Sequence, residues 1–112
     1  MPRDLDLAFS ALADPTRRSI LAALSGGERT VGDLVSLHPL SQPAITKHLN
    51  VLERARLIRR GRAGQTRPCT LDPEGLKAVA DWVGRYRTHW DDAFDRMEDY
   101  LATLSFSETP DD

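Results

Sequence analysis

The chain has 112 residues, 40% of them hydrophobic, a formal net charge of −2 and a single cysteine. That is enough for one small domain, 1–112, with a modest core whose shortfall in burial dimerisation would make up. One thiol excludes an internal disulfide and a thiolate metal cage. No apolar run approaches the ~18 residues of a membrane span, and no signal peptide precedes the first helix, so the expected compartment is the cytoplasm, with no membrane partner.

Leu5, Ala8, Phe9 and Leu12 are spaced as one face of a helix over about 4–13. Asp14-Pro15 then restarts the chain, Asp14 as N-cap and Pro15 at the first helical position, where a missing N–H costs nothing. Ile20, Leu21 and Leu24 give the second helix its buried face, and Gly26-Gly27 ends it. Glu28 to Val31 reads as a short extended link. Thr30 and Asp33 have the spacing of a capping box, which starts a third helix near Val31 with Val31, Leu34 and Val35 on its apolar face. His38-Pro39-Leu40 breaks that helix, because the residue before proline avoids the helical region. Ser41 caps a fourth helix over about 42–55.

Two short helices joined by a tight turn, the second polar on its outer face, form a helix-turn-helix over about 31–55. Leu57–Arg62 and Thr66–Leu71 flank Ala63-Gly64 as a two-stranded β-wing over about 57–71. Pro68 lies in the second strand, which is therefore expected at an edge. Asp72-Pro73 opens a last helix, predicted to run unbroken over about 73–105. Its apolar or small residues fall at Leu76, Val79, Val83, Tyr86, Trp90, Ala93, Met97, Tyr100 and Leu104, with gaps alternating three and four. A helix of that length is more than a small domain covers alone, so part of it is expected to pack on a second subunit. Ser105–Asp112 reads as a frayed acidic tail. The fold class is mainly α (α+β): a winged helix-turn-helix with a long C-terminal dimerisation helix.

Charge is divided along the chain. Ser41–Arg67 holds Lys47, Arg54, Arg56, Arg59, Arg60, Arg62 and Arg67 against Glu53 alone, a net +6. Residues 1–72 sum to +4 and residues 73–112 to −6. A basic helix and hairpin inside an acidic chain is the footprint of a surface that meets phosphate, and the acidic end is expected to point away from a polyanion or to meet a partner.

With Ile45 set toward the core, Leu49 and Leu52 fall within about 40° of it, and Pro43, Thr46, Lys47, Asn50 and Arg54 fall on the opposite side, with Gln42 about 60° away in the first turn. The N-terminal end of such a helix usually enters the major groove, which favours Ser41, Gln42, Thr46 and Lys47 as groove contacts. Arg62, Gln65 and Arg67 at the hairpin can reach the minor groove or its phosphates. His48, on the flank of the core face, has two readings: a DNA contact or a structural histidine beside Leu52. The DNA-binding set is Ser41, Gln42, Pro43, Thr46, Lys47, His48, Asn50, Arg62, Gln65 and Arg67.

The segments LADPTRRSILAAL (Leu12–Leu24), ERTVGDL (Glu28–Leu34) and LSQPAITKHLNVLERARLIRRGRAGQ (Leu40–Gln65) resemble the arsenic-repressor (ArsR) family of bacterial winged-helix transcription regulators. The resemblance covers about residues 5–104. It implies a homodimer built from the first and last helices, which places Leu5, Phe9, Leu12, Val83, Tyr86, Trp90, Phe94, Met97 and Leu101 in the dimer interface. It also implies binding of double-stranded operator DNA by helix 42–55 and the wing, usually with repression and release by an effector. Metal-sensing members carry a Cys-x-Cys pair where this chain has Thr30 and Gly32. Other members bind zinc through Asp and His pairs on the last helix, where His89 and Asp92 fall short of the three or four ligands zinc needs, so no metal and no cofactor is expected. Arg56 stands where the family commonly has glycine. Either a left-handed cap costs about 1 kcal/mol there or the helix runs on slightly.

Cys69 alternates with Leu71 and is expected to face inward as an inert small hydrophobe, with a redox thiol as the lesser alternative. His38, His48 and His89 lie in a turn, the recognition helix and the dimer helix, with no phosphate loop or triad pattern, so no enzyme is expected. The expected function is a sequence-specific, homodimeric repressor on an inverted-repeat operator. The alternative is a winged-helix module for protein contact without specific DNA binding, which would lack both the basic wing and a steep salt dependence.

Overall fold

The computed structural model describes residues 2–108, with side chains described over 4–104. Helices α1 (Pro2–Leu12) and α2 (Pro15–Ser25) are followed by strand β1 (Arg29–Thr30). Helices α3 (Val31–Ser36) and α4 (Gln42–Arg54) come next, then strands β2 (Ile58–Arg60) and β3 (Pro68–Leu71). Helices α5 (Pro73–Gly84) and α6 (Arg87–Glu108) end the described chain. It divides into two compact units, residues 1–80 and 81–112.

The helix starts follow the capping chemistry. Asp14 accepts from the Arg17 amide ahead of Pro15 at the first position of α2. Both halves of the Thr30–Asp33 capping box form, at 3.0 Å each. Ser41 accepts from the Ala44 amide to start α4. These bonds satisfy amides that a helix start otherwise leaves orphaned. Those from the Arg17 and Thr30 amides hold the Asp14 and Asp33 carboxyls below the ordinary carboxylate range.

The core of the first unit is assembled from α1 to α4 and from the sheet. Ile20 and Leu24 of α2, Leu34 of α3, Ile45, Leu49 and Leu52 of α4, Leu57, Ile58 and Cys69 are all buried. From α1 the buried residues are Ala8 and Ala11, with Leu7 and Leu12 packed alongside, while Phe9 is turned outward. The small alanines let α1 lie close against its neighbours. Burial pushes the Cys69 thiol pKa up, as expected of a small hydrophobe in the core.

The sheet has three strands in the order β1-β3-β2, both pairs antiparallel, not the two-stranded wing expected. Residues 29 and 30 of the supposed link pair with Cys69 and Pro68. β3 is therefore central, and the edge position expected for Pro68 is corrected. The proline is tolerated because it is the first residue of β3. Its carbonyl accepts from the Gly61 amide at 2.8 Å, but it has no N–H to return to the Gly61 carbonyl. Arg67 Nε supplies that bond instead, at 3.3 Å. The hairpin closes by two bonds between Ala63 and Thr66, with Gly64 at φ +65 as the first of its two central residues, so the turn is Gly64-Gln65, one residue later than expected.

Arg56 is in the left-handed region, at φ +59. Its amide bonds the Glu53 carbonyl and the Leu57 amide bonds the Leu52 carbonyl, the two bonds of a Schellman motif. Of the two readings left open for this position, the left-handed cap is the one adopted. Gly75 sits beneath that turn. Its amide donates to the Arg56 carbonyl at 2.8 Å, and a Cβ there would lie 2.6 Å from the Ala55 carbonyl oxygen. Asp72, almost fully buried, accepts from the Glu74 amide and caps α5.

The last helix is not continuous. α5 ends at Gly84, and Arg85 and Tyr86 make i→i−3 bonds to Trp82 and Val83 before α6 begins. Glycine is the poorest helix former after proline, and a Cβ at Gly84 would meet nothing within 4 Å. Across the break Trp82 meets Tyr86 at a tilt of 56°, centroids 5.1 Å apart, and Tyr86 stacks on Trp90 at 6.3 Å. α6 continues past Ser105 to Glu108, which corrects the start expected for the frayed tail; residues 109–112 lie outside those described.

Candidate nucleic-acid interface

Helix α4 presents one apolar and one polar side, as its periodicity dictates. Ile45, Leu49 and Leu52 are fully buried. Gln42, Pro43, Lys47, Asn50 and Arg54 are exposed, together with the cap residue Ser41, and Thr46 is half-buried. Arg62, Gln65 and Arg67 of the wing are exposed. The predicted base- and phosphate-facing residues therefore lie on the solvent side of these two elements, apart from His48.

His48 is half-buried, and its Nδ1 meets Arg17 Nη1 at 3.2 Å. A guanidinium only donates, so Nδ1 accepts and is unprotonated in this arrangement. Asp14 Oδ2 lies 3.9 Å from the same nitrogen. Arg17 also donates through Nε and Nη2 to the Ala11 and Ser10 carbonyls at the end of α1. One arginine thus ties the end of α1, the start of α2 and the middle of α4 together. His48 thus meets Arg17 inside the domain, a contact of the kind a structural histidine makes. Arg17 lies in the LADPTRRSILAAL segment, but its part as a tie emerges only when three elements converge.

The turn before α4 is fixed by a second histidine. His38 Nδ1 donates to the Leu34 carbonyl at 2.7 Å, leaving Nε2 to accept from the Ser19 hydroxyl at 3.0 Å. This spans α2, α3 and the turn, and sets where α4 starts.

The basic segment is less cationic than its residue count implies. Arg60 lies 2.6 Å from Glu53 and Arg59 lies 3.3 Å from Asp72. Both contribute to the net +6 of Ser41–Arg67. Arg60 is turned inward, its side chain only 12% exposed, while Arg59 pairs from a largely exposed position. Among the described residues, the cations of this segment without such an ion pair are Lys47, Arg54, Arg56, Arg62 and Arg67. No helix among the described residues is long and apolar enough to cross a membrane.

The model of the family described as bacterial regulatory protein, arsR family, matches residues 14–60, from the N-cap of α2 through β2. The HTH-type transcriptional regulator Rv2034 of Mycobacterium tuberculosis is 44% identical over 86 residues, 77% of this chain and 80% of that protein. The transcriptional repressor SdpR of Bacillus subtilis is 40% identical over 75 residues, 67% of this chain and 83% of that one. A crystallised ArsR family transcriptional regulator superposes with a TM-score of 0.74 at 36% identity, over 81% of this chain and 94% of its own. Proteins of this family are transcription regulators, not enzymes. With its recognition helix, basic wing and these relatives, the chain belongs to the ArsR family and is a winged helix-turn-helix, DNA-binding transcriptional regulator.

Proposed function

We propose that the chain is a homodimeric repressor that binds an inverted-repeat operator. The N-terminal half of α4 enters the major groove, and the wing lies on the adjacent backbone or minor groove. The observation that carries this reading is the exposed polar side of α4, with Ser41, Gln42, Thr46 and Lys47 at its leading end and the unpaired cations of the wing beside it in sequence. Gln42 can bond adenine, Thr46 offers a hydroxyl and a methyl, and Lys47 reaches guanine or phosphate. His48 is assigned to packing.

Dimerisation is supported by apolar surface that one chain leaves uncovered. Trp90, Phe94, Met97 and Leu101 are 42–57% exposed and lie four, three and four residues apart, one stripe of α6. Phe9 of α1 and Tyr86 are also exposed. A contiguous row of large apolar side chains marks an interaction surface. A two-fold dimer addresses half-sites about 34–36 Å apart, in successive major grooves. Repression follows the SdpR likeness, and an effector that releases the DNA follows the family resemblance.

The test is retention of sheared genomic DNA from the source organism at two salt concentrations, followed by sequencing. Enrichment of an inverted repeat near a promoter, lost steeply as salt rises, is expected. Weak, unenriched and salt-insensitive retention would replace this reading with the protein-contact module.

A further inference from the structure

Asn50 lies on the exposed side of α4, four residues beyond Thr46 and eight beyond Gln42, so the three form one stripe along the helix. Unlike the other two, its side chain is held by a bond that spans two elements. Arg60 Nη2 of β2 lies 2.5 Å from Asn50 Oδ1 and 2.6 Å from Glu53 Oε1, and Arg60 Nε lies 3.1 Å from the same carboxylate oxygen. The guanidinium is a donor throughout and is 12% exposed. The atom of Asn50 that faces it must therefore be the carbonyl oxygen, whatever orientation the amide would take alone. Glu53 holds the guanidinium from the other side, so Arg60 cannot turn away without leaving a carboxylate unpaired.

We propose that Arg60 is a positioning residue that fixes the polarity of Asn50. With Oδ1 held, the amide cannot flip, and its Nδ2 group is presented outward as a donor. Resting on the DNA-binding role proposed for α4, this makes Asn50 a selector for hydrogen-bond acceptors. Guanine O6 or N7, adenine N7, thymine O4 and a phosphate oxygen all fit. The cytosine amino group, which only donates in the major groove, is refused. Arg60 itself is spent on Glu53 and Asn50 and supplies no phosphate contact.

The experiment selects binding sites from a random-sequence duplex pool with wild type, Asn50→Ala and Arg60→Met, then measures affinity and salt dependence on the wild-type site. Methionine keeps the bulk of the stem and removes every donor. The expected result is at least a 10-fold loss for Asn50→Ala. For Arg60→Met, one base position that excluded cytosine should now admit it, with the salt slope unchanged. If both variants weaken all sequences equally, again at unchanged slope, the acceptor is a phosphate and the positioning role stands. A slope for Arg60→Met shallower by about 0.9 at unchanged sequence preference would make Arg60 a phosphate ligand and overturn the assignment. Wild-type affinity and preference in Asn50→Ala would also overturn it, and that variant, on an exposed helix face, keeps the test usable if Arg60→Met does not fold. A wild-type protein that selects no sequence from the pool would instead refute the DNA-binding reading of α4.

Discussion

Helices α4 and α6 both carry an apolar stripe, yet only one of them is completed by its own chain. On α4, Ile45, Leu49 and Leu52 are wholly buried against α2, α3 and the sheet. On α6, Trp90, Phe94, Met97 and Leu101 remain about half exposed. A helix with such a face gains little from it until another surface covers it, because most helical stability in proteins comes from tertiary packing. The contrast separates what holds the recognition machinery in shape from what a second subunit would complete.

The sharpest way to break that contrast is to remove a group from each stripe. Leu49→Ala opens a cavity in the sealed core and should cost about 2–5 kcal/mol of unfolding free energy, read by denaturant titration. Trp90→Ala should weaken self-association by about 30-fold or more, in the range of an interface anchor, and leave the recognition half folded. Analytical ultracentrifugation would check this. A wild-type association constant would remove α6 from the interface.

Exposed cations on the DNA side should behave differently from both. Lys47→Ala and Arg62→Ala are expected to leave the dimer intact, weaken DNA binding and each lower the salt slope by about 1. Loss of the dimer in either variant would show that the two roles are not separable.

Smaller effects test the local joints. Arg56→Gly removes a side chain from a left-handed position within the Schellman turn and should raise stability by about 0.5–1 kcal/mol, visible as a higher melting temperature. The Asp14 and Asp33 carboxyls are held low in the folded state by the amides they cap. Their contribution is therefore full above the unfolded value of about 4 and is lost as pH falls through the lowered folded values. The stability gap between wild type and an Asp14→Asn, Asp33→Asn variant should narrow between pH 6 and pH 3.

Where a signal is local, it was legible. The N-caps at Asp14, Thr30 and Ser41, the buried side of α4 and the hairpin each depend on residues a few positions apart. The errors concern contacts that the hairpin and core create. β1 went unseen because two residues have no periodicity; they become a strand only when Cys69 and Pro68 arrive beside them. The break at Gly84 is different, since the glycine was visible in sequence. An unbroken three-four spacing outweighed it, and spacing alone does not measure the propensity it must overcome.

The sequence by itself determined the family, the order of helices and hairpin, and which side of α4 faces outward, because capping and amphipathic periodicity act over one or two helical turns. Tertiary structure decided which charges remain available to DNA. Glu53 and Arg60 are seven residues apart and Arg59 and Asp72 thirteen, and whether such groups meet depends on how β2 folds back beside α4 and β3. Counting charges gives their number along the chain. Coulombic and hydrogen-bonding partnership depends on distance in space, which the fold alone sets.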